Sequence, residues 1–239
     1  MMRGLALAFG FLTRLPVRVA HVDRSAQAAS LKWYPLVGAV LGVLLVGAAA
    51  LLHGMPALPA AALLLVAWVA LTGALHLDGL ADSADAWIGG MGDRERTLSI
   101  MKDPRSGPAG VVALVLVLLL KFAALATLSN VWWLMLPPLL GRAAIVAWFL
   151  TTPYVRAAGL GDPLRGAPVK GCHIGLGIAV AACIAFGHAG VVALTTAAAV
   201  AWLWRRAVVR RLDGFTGDTA GALVELVEAA TSIALVAMA

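Results

Sequence analysis

Three aspartates, Asp78, Asp82 and Asp85, punctuate the run His76-Leu-Asp-Gly-Leu-Ala-Asp-Ser-Ala-Asp85. On a helix these positions fall within one narrow stripe, so their carboxylates project together and repel. A divalent cation neutralises such a stripe, and Mg2+ suits carboxylate oxygens shared with water and substrate phosphate. The plainer reading is a solvated acidic helix end. It is weakened because the aspartates are interleaved with Leu77, Leu80, Ala81 and Ala84 rather than with lysines.

Downstream, Gly89-Gly-Met-Gly92 leads through Asp93-Arg-Glu-Arg96 to Ile100-Met-Lys102-Asp103-Pro-Arg105-Ser-Gly107-Pro-Ala-Gly110. Lys102 and Arg105 are suited to phosphate, Arg by bidentate geometry and Lys as a point charge. Gly107 and Gly110 can bring backbone N–H groups to an anion. A Gly-rich loop of mixed charge is common by itself, and it gains weight beside an aspartate stripe.

A second acidic group follows Arg210-Arg211: Asp213, Asp218, Glu225 and Glu228. Asp218 and Glu225 share a helix face, although an Asp at a helix start also serves as an N-cap. Glu225 and Glu228 lie farther into an apolar segment and need partners, whether a cation, an Arg or Lys121. Of the histidines only His76 sits beside the aspartates, where a structural hydrogen bond and a catalytic role both stay open. Cys172 and Cys183 lack metal or disulfide spacing and read as packing residues. Two carboxylate groups with basic side chains suit metal-assisted phosphoryl transfer.

The elements that must position these groups are membrane helices. Of 239 residues, 62% are hydrophobic and only 13% charged, too apolar for a water-soluble domain. A spanning helix needs about 20 mostly apolar residues. Seven segments meet or approach this, at about 33–53, 57–76, 108–129, 131–151, 173–188, 189–204 and 221–239. The N-terminal apolar run lacks a cleavage site and is followed by Arg14, Pro16 and Arg18, so it reads as a retained interfacial helix. Gly38, Gly42 and Gly47 read as close-packing positions on the first span. The expected fold is all-α: a polytopic integral membrane protein with about seven transmembrane helices plus an N-terminal interfacial helix. Residues 1–239 form one membrane-embedded catalytic domain.

Charge placement supports this topology. The formal net charge is +6, but the basic residues flank apolar spans instead of alternating with aromatics, which disfavours nucleic acid and favours the lipid bilayer as partner. Of the 18 Lys and Arg residues only Lys121 and Arg142 lie within apolar spans. With alternating spans the others share one side, which the positive-inside rule makes cytoplasmic. Lys121 and Arg142 are costly in lipid, and functional and structural readings of Arg142 stay equally open.

These residues resemble the cobalamin-5′-phosphate synthase family, also called adenosylcobinamide-GDP ribazoletransferase. The resemblance is carried by Phe11-Leu-Thr-Arg14-Leu-Pro16, Tyr34-Pro-Leu-Val-Gly38, His76-Leu-Asp-Gly-Leu-Ala-Asp82 with Asp85, Ile100-Met-Lys-Asp-Pro-Arg105 with Gly107, Gly141-Arg142, and Thr216-Gly-Asp218 with Gly221 and Glu225. The first aspartate run and its Ile-Met-Lys-Asp partner are the specific parts.

The resemblance implies a bacterial or archaeal inner-membrane enzyme, active on the cytoplasmic face. It joins adenosylcobinamide-GDP to α-ribazole or its 5′-phosphate, with Mg2+ and release of GMP, late in cobalamin biosynthesis. It further implies Asp78, Asp82, Asp85 and Asp218 as metal ligands. Asp82, Asp103, Asp218 and Glu225 become catalytic candidates, and Arg14, Lys102, Arg105, Arg142 and Thr216 contact substrate. The oligomeric state is left open, a homo-oligomer included.

Two rivals are weaker. A CDP-alcohol phosphatidyltransferase motif also opens with Asp-Gly-x-x-Ala, but Asp82 stands where that family has Arg, and its later Gly-x-x-x-Asp-x-x-x-Asp spacing is missing. A transporter of cations or corrinoids places its binding groups near the bilayer midplane; here the acidic residues crowd one end.

Overall fold

The computed structural model describes residues 2–17, 19, 22–157 and 159–238. Arg18, counted above among the basic residues ahead of the first span, and Ala239, the last residue of the seventh segment, lie outside them. Among the described residues the fold is all helical, with one isolated bridge between Tyr154 and Phe215.

The chain opens with α1 (Met2–Leu12), then α2 (Arg24–Ser30), whose N-terminus is capped by the Asp23 carboxylate accepting from Ala26 N–H at 2.7 Å. A 3-10 turn (Leu31–Trp33) leads directly into α3 (Tyr34–Leu51), with Pro35 in its first turn, where a missing N–H costs nothing. Helices α4 (Ala57–Thr72) and α5 (Leu75–Gly89) follow, then the short α6 (Arg94–Ile100), capped by Asp93, and α7 (Pro108–Thr127). A 3-10 turn (Val131–Met135) enters α8 (Leu136–Thr151), and α9 (Val169–Ala185), α10 (Gly187–Leu212) and α11 (Gly217–Val236) complete the chain.

Among the described residues five helices, or six if one bent pair is counted as a span, are long and apolar enough to cross a bilayer, so the expected count of seven is not reproduced. The five are Arg24–Leu51, Pro108–Thr127, Val131–Thr151, Gly187–Leu212 and Gly217–Val236. The segment expected at 57–76 breaks at Gly73 and Ala74, which both adopt left-handed backbone, and α5 turns 89° away from α4. Helix α4, with 16 residues, is a sixth span only through that bent pair, and α9 is an apolar helix of only 17 residues. The four arginines from Arg205 to Arg211 ride the last turns of α10.

Helix α11 is the central element, packed against α5, α7, α8 and α10. On α3, Gly38 and Gly42 allow backbone contact with α8 and the turn before it. A side-chain carbon at Gly38 would lie 2.8 Å from Leu139 Cα, and one at Gly42 2.6 Å from Met135 Cα. Gly47 has nothing within 4 Å and plays no such part.

The two charges expected inside spans meet two carboxylates. Lys121 Nζ on α7 lies 2.5 Å from both Glu225 and Glu228 of α11 and 4.6 Å above the Trp68 ring of α4. Arg142 on α8 pairs with Glu228, and its Nη2 lies 3.4 Å from His76 Nδ1 on α5. All four charged side chains are buried and their formal charges cancel, so five helices are tied together at a point where one unmatched ion would be costly.

Candidate active site

Helices α5 and α11 approach so closely because each carries a glycine at the crossing. A side-chain carbon at Gly79 would lie 2.7 Å from the Asp218 carbonyl oxygen and 3.2 Å from Gly221 Cα. The crossing brings the aspartates of α5 to the first turn of α11, across more than 130 residues of chain. Asp78, Asp218 and Arg156 line the polar part of a cavity of about 400 Å³. Its walls include Phe11 and Leu12 of α1, Tyr34 of α3, and Phe149, Tyr154 and Phe215.

The loop after α8 is stitched to the segment before α11 by the bridge, with Val155 N–H donating to Phe215 C=O at 2.9 Å and Phe215 N–H to Pro153 C=O at 2.8 Å. That pairing sets Arg156 beside Asp218, with Nη1 at 2.7 Å from Oδ2. Phe149, Tyr154 and Phe215 pack on one another with centroids 4.9–5.8 Å apart, giving the cavity an aromatic wall.

The cap of α11 is Thr216, not Asp218. Its Oγ1 accepts from Thr219 N–H at 3.2 Å, and Thr219 Oγ1 accepts in return from Thr216 N–H at 2.9 Å. Capping by Thr216 leaves the Asp218 carboxylate free for Arg156 and the cavity. Thr216 itself is fully buried and does not line the cavity.

Asp82 stands on α5, beyond the 89° bend that separates it from α4, and is half-buried. Burial first, then the like charges of Asp78, Asp218 and Asp85, push its carboxyl up to about 6. Among the described residues neither Asp78 nor Asp82 has an ion-pair partner. The donors are all oxygen and carry excess negative charge, which fits a hard divalent cation. No group of three or more His, Cys, Asp or Glu side chains among the described residues is already gathered as a metal site. Water and substrate oxygens would therefore have to complete the shell, as Mg2+ commonly requires.

Asp85, expected in the metal set, is engaged elsewhere. Its Oδ2 accepts from Gly107 N–H at 2.6 Å and its Oδ1 from Gly110 N–H at 2.8 Å, so it anchors the start of α7. The two glycine N–H groups expected to greet a substrate anion thus hold a protein carboxylate.

The other expected residues divide. Asp103 and Arg105 face each other, with Nη2 at 2.6 Å from Oδ2 and Nε at 2.9 Å from Oδ1, and these bonds hold the Asp103 carboxyl down at about 2. Asp103 is therefore a poor proton acceptor in this arrangement. Lys102 and Arg105 are exposed on the loop beside the site and do not line the cavity. Met101 Sδ, 3.7 Å from Thr216 Oγ1, ties that loop to the α11 cap. Arg14 is exposed at the α4–α5 bend, its side chain against Gly73 and its N–H donating to Leu71 C=O at 2.8 Å. Arg142 and Glu225 are engaged in the buried ion network and do not line the cavity.

Sequence reasoning missed Arg156, Tyr154 and the aromatic wall. Arg156 was visible only as one basic residue in a loop. Its signal was that the loop leaves α8 at the same end as both aspartate groups.

A family model described as cobalamin-5-phosphate synthase matches residues 4–236. The adenosylcobinamide-GDP ribazoletransferase of Pseudomonas paraeruginosa is 55% identical over 98% of both chains, and that of Stutzerimonas stutzeri 56% identical over 97% of this chain and 96% of its own. The Pseudomonas aeruginosa protein of the same name is 54% identical over 98% of both. No solved structure matches. With matched segments running from α1 to α11 and through every residue of the cavity wall, the chain belongs to the cobalamin-5-phosphate synthase family.

Proposed function

We propose that the cavity is the active site of an adenosylcobinamide-GDP ribazoletransferase. In this reaction a hydroxyl oxygen of α-ribazole, or of its 5′-phosphate, forms a bond to the phosphorus that carries the cobinamide aminopropanol arm. The bond from that phosphorus to the GMP oxygen breaks, GMP leaves, and the hydroxyl proton passes to a base. The observation that carries the reading is the meeting of Asp78, Asp218 and Arg156 at one cavity, with Asp82 close enough on α5 for its carboxyl to feel the charges of Asp78 and Asp218.

The residues divide the work by position. Asp78 and Asp82 would hold Mg2+, with Asp218 the third carboxylate within reach of their charge. When bound, Mg2+ offsets negative charge on the phosphate oxygens. With Asp103 and Glu225 engaged elsewhere, Asp218 is left to orient the attacking hydroxyl. Arg156 steadies Asp218 and adds positive charge where the diphosphate enters. The aromatic wall suits the flat base of α-ribazole, and about 400 Å³ fits a nucleoside while leaving the corrin ring outside. The concentration of basic residues at one end of the spans supports a cytoplasmic-facing site in the inner membrane of a bacterium.

The test is GMP release by the purified protein in detergent, supplied with adenosylcobinamide-GDP, α-ribazole and Mg2+. Release that depends on both organic substrates supports the reading. None from a folded, Mg2+-binding sample ends it. Asp82→Asn should abolish turnover while leaving expression intact.

A further inference from the structure

His76 belongs both to the cavity wall and to the buried ion network, and the mechanism above makes no use of it. Its Nδ1 lies 3.4 Å from Arg142 Nη2. A guanidinium has only donors, so Nδ1 must be the acceptor and carries no proton. The ring proton of the neutral imidazole is then on Nε2. Arg142 is held in turn by Glu228, which also binds Lys121. The charge of Arg142 is already cancelled by Glu228, and His76 sits buried beside Leu75 and Ile145, whereas Asp78 on the same helix is exposed.

We propose that His76 is a substrate-selecting residue. Its Nε2–H donates a hydrogen bond to an uncharged acceptor of the ribazole, a ring nitrogen or a ribose oxygen, at the deep end of the cavity. The Arg142–Glu228 pair is the positioning device that fixes the tautomer. An uncharged donor among apolar walls selects a neutral nucleoside part; the phosphates stay at the mouth with Asp78 and Arg156. This gives the buried Arg142 a purpose at the site without contact with substrate, and it rests on the transferase reading only for the identity of the nucleoside.

Two substitutions separate the donor from the structural contact. An asparagine amide ends near the position of Nδ1 and keeps a partner for Arg142, while a glutamine amide ends near the position of Nε2 and keeps a donor to the cavity. In the full-length protein in detergent, calorimetry with α-ribazole alone should show His76→Asn binding about ten- to hundredfold more weakly than the wild type, with thermal stability nearly unchanged. His76→Gln should retain more of the affinity and lose more of the stability. In the coupled assay the KM for α-ribazole should rise in His76→Asn while that for adenosylcobinamide-GDP stays within about twofold.

Unchanged ribazole affinity in His76→Asn overturns the proposal whatever turnover does, as does affinity that tracks stability in both variants. A wild type that binds α-ribazole through His76 yet releases no GMP would overturn the transferase reading and leave this one standing.

Discussion

Gly79 and Gly221 face each other across the α5–α11 crossing, where a side chain on Gly79 has no room. Contact is tighter from the α5 side: a carbon added at Gly79 meets the Asp218 carbonyl at 2.7 Å, whereas one added at Gly221 meets nothing nearer than 3.3 Å. Gly79→Ala should therefore cost about 1–3 kcal/mol and separate the carboxylates of α5 from Asp218, and Gly221→Ala should cost less. Melting curves in detergent and GMP release check both; equal tolerance at the two positions contradicts the crossing geometry.

The buried ion network predicts an asymmetry between single and paired substitutions. Arg142→Met strands part of the negative charge of Glu228 and Glu225 and should destabilise the fold by about 3–5 kcal/mol. Arg142→Met combined with Glu228→Gln removes one charge of each sign and should recover much of that loss. A double variant no more stable than the single one would show that charge balance is not what holds these helices.

Asp82 sets a pH dependence. Because its carboxyl is raised to about 6, a proton occupies it increasingly as pH falls through that value. Proton and Mg2+ then compete, so the Mg2+ concentration giving half-maximal GMP release should rise between pH 7 and pH 5.5. Titrations of Mg2+ across that range give the answer, and a requirement that does not change with pH would remove Asp82 from the metal set.

Asp85 as an anchor makes a different prediction from Asp85 as a ligand. Asp85→Ala frees the N–H groups of Gly107 and Gly110 and should loosen the segment from Met101 to Gly107. Limited proteolysis should then cut within that segment, and the KM for adenosylcobinamide-GDP should rise several-fold with little change in the Mg2+ requirement. A changed Mg2+ requirement without new cleavage would restore Asp85 to the metal.

The membrane character of the chain and its helices were legible in the residues themselves. Apolar runs of spanning length and charges excluded from them follow from the cost of burying charge in lipid, which acts on each segment alone. The aspartate stripe was legible for the same reason, since helical periodicity is local. Boundaries were less so: the left-handed pair Gly73 and Ala74 ends α4 inside an unbroken apolar pattern, where hydropathy carries no mark of backbone geometry.

What only the tertiary structure decided was how each polar group spends its hydrogen bonds. Asp85, Asp103, Arg142, Thr216 and Glu225 have the residue types of a phosphoryl-transfer site, and each is occupied by a partner 2 to 115 residues away in sequence or by a helix end. Asp78 and Asp218 are the carboxylates that line the cavity, joined there by Arg156, and Asp82, unpaired among the described residues, stands beside them on α5. A sequence specifies which side chains can bind a phosphate or a cation, but availability depends on which of them the packing has already satisfied, and that is a property of contacts between distant segments.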